Sequence, residues 1–199
     1  MSMQPREEVT FLMIKPDAVR RGLIGEIIQR IERTGLKIQA IKMVQADRDK
    51  ISNFYPSDEK WIKRLGEKTL ATYSKYGYDA IQELGTDNAE EIGPMVRNWL
   101  LDFMTSAPVV PMIIKGAHAV DKVRRLAGDT MPANANFGTI RGDFSTDSAA
   151  AANRDKRAVF NLVHATETAE EAAKEIEFWF VTSERTEYRS ADEEVMFPN

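Results

Sequence analysis

The sequence predicts an α+β fold: a ferredoxin-like split β-α-β arrangement with an antiparallel four-stranded sheet, plus a helical insertion. Three observations carry that expectation. Residues 9–14 form an apolar run of strand length; Ile24, Ile27, Ile28 and Ile31 then trace one helix face; and strand and helix patterns alternate again after an interruption at 56–93.

The elements follow in order. The run at 9–14 has no polar alternation, as in a strand covered on both faces, and Lys15-Pro16-Asp17 ends it. The four isoleucines give an amphipathic helix, with Gly35 placed as its stop. Leu36, Ile38, Ala40 and 41–44 read as a second strand, and 48–55 as a short helix. Residues 56–93 are Lys- and Tyr-rich, broken by Gly66, Gly77, Gly85 and Gly93, and read as an inserted helical excursion. Helical spacing returns through Val96, Trp99, Leu100 and Phe103. A strand follows at 108–114, where Pro111 predicts an edge or a bulge, and then a basic helix at 119–126. The stretch 128–145 predicts a long ordered loop. Residues 145–157 make a second short insertion, and 158–163 the last strand, which delivers His164. Thr168 and Glu171 predict a capping box for a closing helix with Ala169, Ala172, Ala173, Ile176 and Phe180 on its apolar face. A polar tail follows, anchored at most by 195–197.

With 199 residues, 43% hydrophobic and 29% charged, 11 Gly and 8 Pro, the whole of 1–199 fits one soluble globular domain and excludes collagen, a disordered tail and a disulfide scaffold. Such a chain buries roughly 70% of its unfolded surface, so a metal would serve function rather than fold. The absence of Cys excludes thiolate zinc and cysteine catalysis. A net charge of -4 argues against a broad nucleic-acid surface and leaves room for a local basic pocket. No apolar signal core or membrane-length run is present, so a cytoplasmic location is expected, with no membrane contact.

His164 leaves a strand just before a capped helix, where a side chain reaches a cleft and the helix N-terminus favours anions. It reads either as a nucleophile or as a satisfied structural histidine. His118 reads as capping or exposed. Glu175 lies one turn beyond Glu171 and can lean back to His164, fixing its tautomer. Lys15 ends a buried strand and needs an anion nearby, either phosphate or carboxylate. Arg124, Arg125 and Arg141 supply planar donors suited to phosphate, and Thr130 and Asn161 supply neutral ones. Neither a P-loop nor GxGxxG occurs, so a phosphate ligand would be held by side chains.

The stretches Thr10-Phe-Leu-Met-Ile-Lys-Pro-Asp-Ala-Val-Arg-Arg-Gly22, Gly138-Thr-Ile-Arg-Gly-Asp-Phe144 and Asn161-Leu-Val-His164 resemble the nucleoside diphosphate kinase family. The resemblance covers about 8–55 and 95–180. It implies a ping-pong phosphotransferase in which His164 takes the γ-phosphate of a nucleoside triphosphate and passes it to a different diphosphate. By the same resemblance Lys15, Arg124, Thr130 and Arg141 bind phosphates, Asn161 and Lys15 bind the ribose hydroxyls, Tyr55 steadies the phosphate end and Glu175 orients the imidazole. Val96 and Leu100, with Trp99 beside them, fall where the family stacks the base. Magnesium arrives with the nucleotide, no resident metal site is expected, and a homo-oligomer, hexamer or tetramer, is implied. Ala165 and Thr166 stand where Gly and Ser are usual, which keeps a hydroxyl. The alternative is a kinase-like binding or scaffold protein that uses the insertion as a partner surface; nucleic-acid binding is a weaker third reading.

Overall fold

Strands β1 (Glu8–Ile14), β2 (Lys37–Ile41), β3 (Val110–Gly116) and β4 (Val163–Ala165) form one antiparallel sheet in the order β2-β3-β1-β4. The computed structural model describes residues 7–197. The apolar run of β1 is explained by cover on both faces. Leu12 and Ile14 pack with Ile27 and Ile31 of α2 (Ile24–Glu32) and Val123 of α7 (Ala119–Ala127). Phe11 and Met13 pack with Ile51 of α3 (Arg48–Phe54), Met104 of α6 (Ala89–Thr105) and Ile176 and Trp179 of α10 (Ala169–Trp179). The short α1 (Pro16–Arg20) leaves β1 directly, with Lys15 as its N-cap.

Several local expectations are corrected. Pro111 lies in β3, an internal strand, opposite Met13. Its carbonyl accepts from the Lys42 N–H, so its missing N–H faces the same side, just past the end of β2. The bulge sits instead in β2, between Ile38 and Ala40. The last strand begins at Val163 and contains His164, because Leu162 at φ +69° breaks the extended path through 158–162. The expected loop at 128–145 holds a 3-10 turn (Pro132–Asn134) and α8 (Ile140–Phe144), whose cap is the Thr139 hydroxyl accepting from the Gly142 N–H. In the capping region of α10, Thr168 accepts from Glu171 N–H, but the Glu171 carboxylate reaches back to Glu167 N–H, one residue further. Ala173 is exposed, and Trp179 is buried in its place on the apolar face.

The excursion builds α4 (Glu59–Tyr76) and α5 (Ala80–Leu84), ended by Gly77 and Gly85 at positive φ. Gly66 and Gly93 do not break helices. A Cβ on Gly66 would meet the Ala89 carbonyl oxygen at 2.0 Å, and one on Gly93 that of Ile62 at 2.2 Å, so these two glycines allow α4 and α6 to cross in backbone contact. Helix α9 (Ala149–Arg154) fills the second insertion. The tail, with α11 (Ala191–Met196), is anchored by polar groups, while Val195 and Met196 stay exposed. Thr186 N–H donates to the Gln39 carbonyl, and Lys37 pairs with Glu193 at 2.8 Å along the free edge of β2.

Candidate active site

His164 pairs with Met13 across β4 and β1, and its side chain is 23% exposed. Its Nε2 lies 2.7 Å from Glu175 Oε1. Facing a carboxylate, Nε2 carries the proton and donates, which leaves Nδ1 with a free lone pair. The Thr166 hydroxyl holds the other Glu175 oxygen, so the carboxylate is fixed at both ends. Rings of Phe11, Phe54 and Tyr55 surround the imidazole at centroid distances of 6.0, 5.4 and 6.4 Å. The Tyr55 hydroxyl is buried with no hydrogen-bond partner among the described residues. Burial, and then the charge of Glu175, push its pKa up, so it remains a donor.

The turn leading into β4 is strained. Val163 N–H donates to the Asn161 carbonyl at 2.7 Å across Leu162, a three-residue γ-turn with a branched residue at φ +69°. Neighbouring groups over-determine it. Asp17 Oδ2 accepts from Leu162 N–H at 3.0 Å, and Lys15 N–H donates to the Leu162 carbonyl at 2.8 Å. Arg141, 7% exposed, donates to the carbonyls of Asn161, Val163 and Gly128 at 3.1, 2.8 and 2.7 Å. Burial pulls its guanidinium down to about 10, against the raising effect of Asp129 and Asp17.

Lys15 is also 7% exposed, and its Nζ donates to Asn161 Oδ1 at 2.7 Å. Burial first, then the charge of Arg141, lower it to about 8, with Asp17 opposing. Asp17 is raised by its own burial, against Lys15 and the Leu162 N–H. Asn161 Nδ2 completes the chain by donating to the Thr130 carbonyl at 3.0 Å.

A cavity of about 700 Å³ opens beside this cluster, lined by Arg124, Arg125, Gly128, Thr130, Arg141 and Ala165, with Asp121, Asp129 and Glu167. Alternation along β4 turns Ala165 to the cavity side and His164 to the opposite face, which Lys15 shares by its alternation with Met13. Arg141 belongs to both groups, since it lines the cavity and bonds both ends of the turn. Val96 and Leu100 stand on α6 and do not line the cavity, and Leu100 packs against the core around Phe11 and Met13. His118, the N-cap residue of α7, is exposed at φ +53° and makes no side-chain cap. The sequence does not single out Asp17 or Thr166 for the site. The signal for Asp17 was its place two residues beyond a buried lysine, in the first turn of a helix.

Residues 8–66 and 89–185, which contain every residue of this cluster, match the family described as nucleoside diphosphate kinase. The chain belongs to the nucleoside diphosphate kinase family. A nucleoside diphosphate kinase of Pyrobaculum aerophilum is 50% identical over 173 residues, 87% of this chain and 94% of that protein. One from Archaeoglobus fulgidus is 35% identical over 190 residues, 96% of this chain and 97% of its own length. The crystal structure of an NDP kinase from Pyrobaculum aerophilum matches with a TM-score of 0.86 at 48% identity, covering 91% of this chain and 100% of that one. A Borrelia burgdorferi nucleoside-diphosphate kinase, a transition state mimic with bound vanadate and ADP, matches with a TM-score of 0.71 at 31% identity over 96% of this chain and 98% of its own. The four-stranded α+β fold expected from the sequence is the fold of these nucleoside diphosphate kinases, and the chain is an enzyme, a nucleotide-binding kinase of the transferase class. Residues 67–88, the later part of α4 with α5, lie between the two matched segments. No helix among the described residues is long and apolar enough to cross a membrane.

Proposed function

We propose that the chain moves the γ-phosphate of a nucleoside triphosphate to a nucleoside diphosphate by a ping-pong route, with the phosphoryl group resting on Nδ1 of His164. The observation that carries this reading is the 2.7 Å contact of His164 Nε2 with Glu175, which leaves Nδ1 unprotonated and oriented. The Nδ1 lone pair forms the N–P bond as the bond from γ-phosphorus to the bridging oxygen breaks, and the diphosphate leaves. The proton stays on Nε2, hydrogen-bonded to Glu175, so none need move in that step. The second half reverses it, a terminal phosphate oxygen of the acceptor displacing the imidazole.

Arg124 and Thr130 on the cavity wall, and Arg141, which lines the cavity and bonds both ends of the turn before His164, hold phosphate oxygens as the phosphates round the β4 edge to reach the imidazole; Lys15 supplies the buried positive charge on the His164 face, and the free Tyr55 hydroxyl donates to the phosphate end. Lys15 and Asn161, already bonded to each other, hold the ribose hydroxyls. Magnesium enters as part of the substrate, bound to the triphosphate, with Asp121 and Asp129 as wall carboxylates suited to its coordination shell. Val96 and Leu100 give the base a shallow apolar contact, so ATP, GTP and deoxynucleotides serve within about tenfold, or about 1.4 kcal/mol. A homo-oligomer, hexamer or tetramer, in a cytoplasmic setting completes the reading, and light scattering measures the mass.

Incubation with γ-labelled ATP tests the proposal. Label that is acid-labile and alkali-stable, and that disappears in His164→Ala, supports it; a wild-type protein that takes no label favours the scaffold reading instead.

A further inference from the structure

Asp147 stands in the second short insertion, outside every role assigned above. Its side chain is 11% exposed. Its two oxygens accept from Arg157 Nη1 at 2.6 Å and Nη2 at 3.1 Å, from Phe160 N–H at 2.7 Å and from Ser148 N–H at 2.9 Å. Its own carbonyl accepts from Ala133 N–H at 3.1 Å, tying the insertion to the turn that follows Thr130. Phe160 is fixed three times over. Its N–H is held by Asp147, its carbonyl accepts from the Ser145 hydroxyl at 2.7 Å, and its ring lies 4.4 Å beneath the Arg157 guanidinium. The next residue is Asn161, which receives Lys15 Nζ and opens the γ-turn before His164.

We propose that Asp147, with Arg157, is a positioning residue for phosphoryl transfer: the clamp fixes Phe160 and so holds the strained turn and the Asn161–Lys15 contact in register with His164. The inference rests on the phosphohistidine reading above. A strained backbone persists only where its surroundings leave it no alternative. Downstream of Asn161 that restraint comes from Asp17, Lys15 and Arg141; upstream it comes from Asp147. The pair is two-pronged, part-buried and shared with a backbone N–H, unlike an exposed ion pair, which contributes little. Burial alone would raise the Asp147 carboxyl, but the bonds from Arg157, Phe160 and Ser148 outweigh it and hold it below the usual range, so the clamp stays charged.

The test compares wild type with Asp147→Ala, Asp147→Asn and, as a control, Glu90→Gln, which breaks a surface pair with Lys63. Two quantities are read: single-turnover phosphorylation of His164 set against nucleotide KM, and the titration of Lys15 in the free protein by lysine-selective NMR. Asp147→Ala is expected to slow phosphorylation by about tenfold while KM moves less than about threefold. Lys15 should then titrate about one unit higher as water reaches it. Asp147→Asn should fall between, and Glu90→Gln should match wild type. A folded Asp147→Ala protein with unchanged phosphorylation and an unchanged Lys15 titration overturns the proposal; if that variant does not fold, Asp147→Asn is judged by the same two readings. Should wild type form no phosphohistidine, the ping-pong reading fails, and the Lys15 titration alone decides the positioning claim.

Discussion

Lys15, just past the end of β1, and Lys115, in the neighbouring strand β3, lie in opposite surroundings. Lys115, in β3, faces Glu7 at 2.6 Å and Glu187 at 3.4 Å, and these carboxylates raise its pKa in spite of burial. Lys15, at the end of β1, bonds only a neutral amide oxygen and is held down at about 8, first by burial and then by Arg141. The contrast extends to their neighbourhoods. The β2 edge and tail bring opposite charges together, Lys37 with Glu193 and Lys42 with Glu184, and Glu193 is held low by Lys37 and Ser190 N–H although burial alone would raise it. The surroundings of His164 collect a positive-φ leucine, a tyrosine hydroxyl with no partner among the described residues and a raised Asp17. Paired charge holds the fold together; charge set against its surroundings marks the place proposed above for the phosphates.

The sharpest way to break this comparison is Lys15→Met. Transfer should fall by about a thousandfold as a phosphate-facing charge is lost, while the free protein becomes more stable by up to about 3 kcal/mol at pH 7. The sign follows from linkage. Lys15 titrates near 8 when folded against 10.5 as its ordinary value, so the unfolded chain binds more protons between those values and wild-type stability rises with pH there. The advantage of the methionine variant should therefore shrink to less than about 1 kcal/mol by pH 10, as read from urea titrations at the two pH values. A variant that is less stable than wild type at pH 7 would mean that Lys15 is not opposed by its surroundings.

Thr166→Val should act less strongly. It removes the hydroxyl that holds Glu175 and is expected to lower kcat by about tenfold with little change in KM, read from steady-state kinetics. Smallest of the three is Glu193→Gln on the tail. Denaturation should show a loss of about 1 kcal/mol, diminished by salt, with kcat untouched. A large kcat effect there would erase the distinction between the two regions.

Much of this was legible locally. The unbroken apolar run of β1 announced a strand with cover on both faces, and the unmatched Lys15 at its end announced a buried charge. His164 and Glu175 were legible because strand end and helix turn bring them together within eleven residues. What escaped depends on chain closure. Arg141 reads in sequence as a phosphate donor, and only the fold shows that it also grips three carbonyls from segments on either side of the site. The sequence pattern starts the last strand too early because nothing in Leu162 itself signals a positive φ; Asp17, Lys15 and Arg141 hold it there. The tail bonds to β2 through partners such as Lys37 and Glu193, far apart in sequence, so the sequence shows only a polar tail anchored at most by 195–197. Gly66 and Gly93 looked like breaks because their role, a backbone contact between two helices, is visible only once both are in place.

The most direct test of the central claim is the position of the phosphoryl group in the trapped intermediate, by phosphorus NMR and peptide fragmentation at alkaline pH. The structure predicts phosphate on Nδ1 of His164, the nitrogen that Glu175 leaves free. Phosphate on Nε2, or on any other residue, would contradict it.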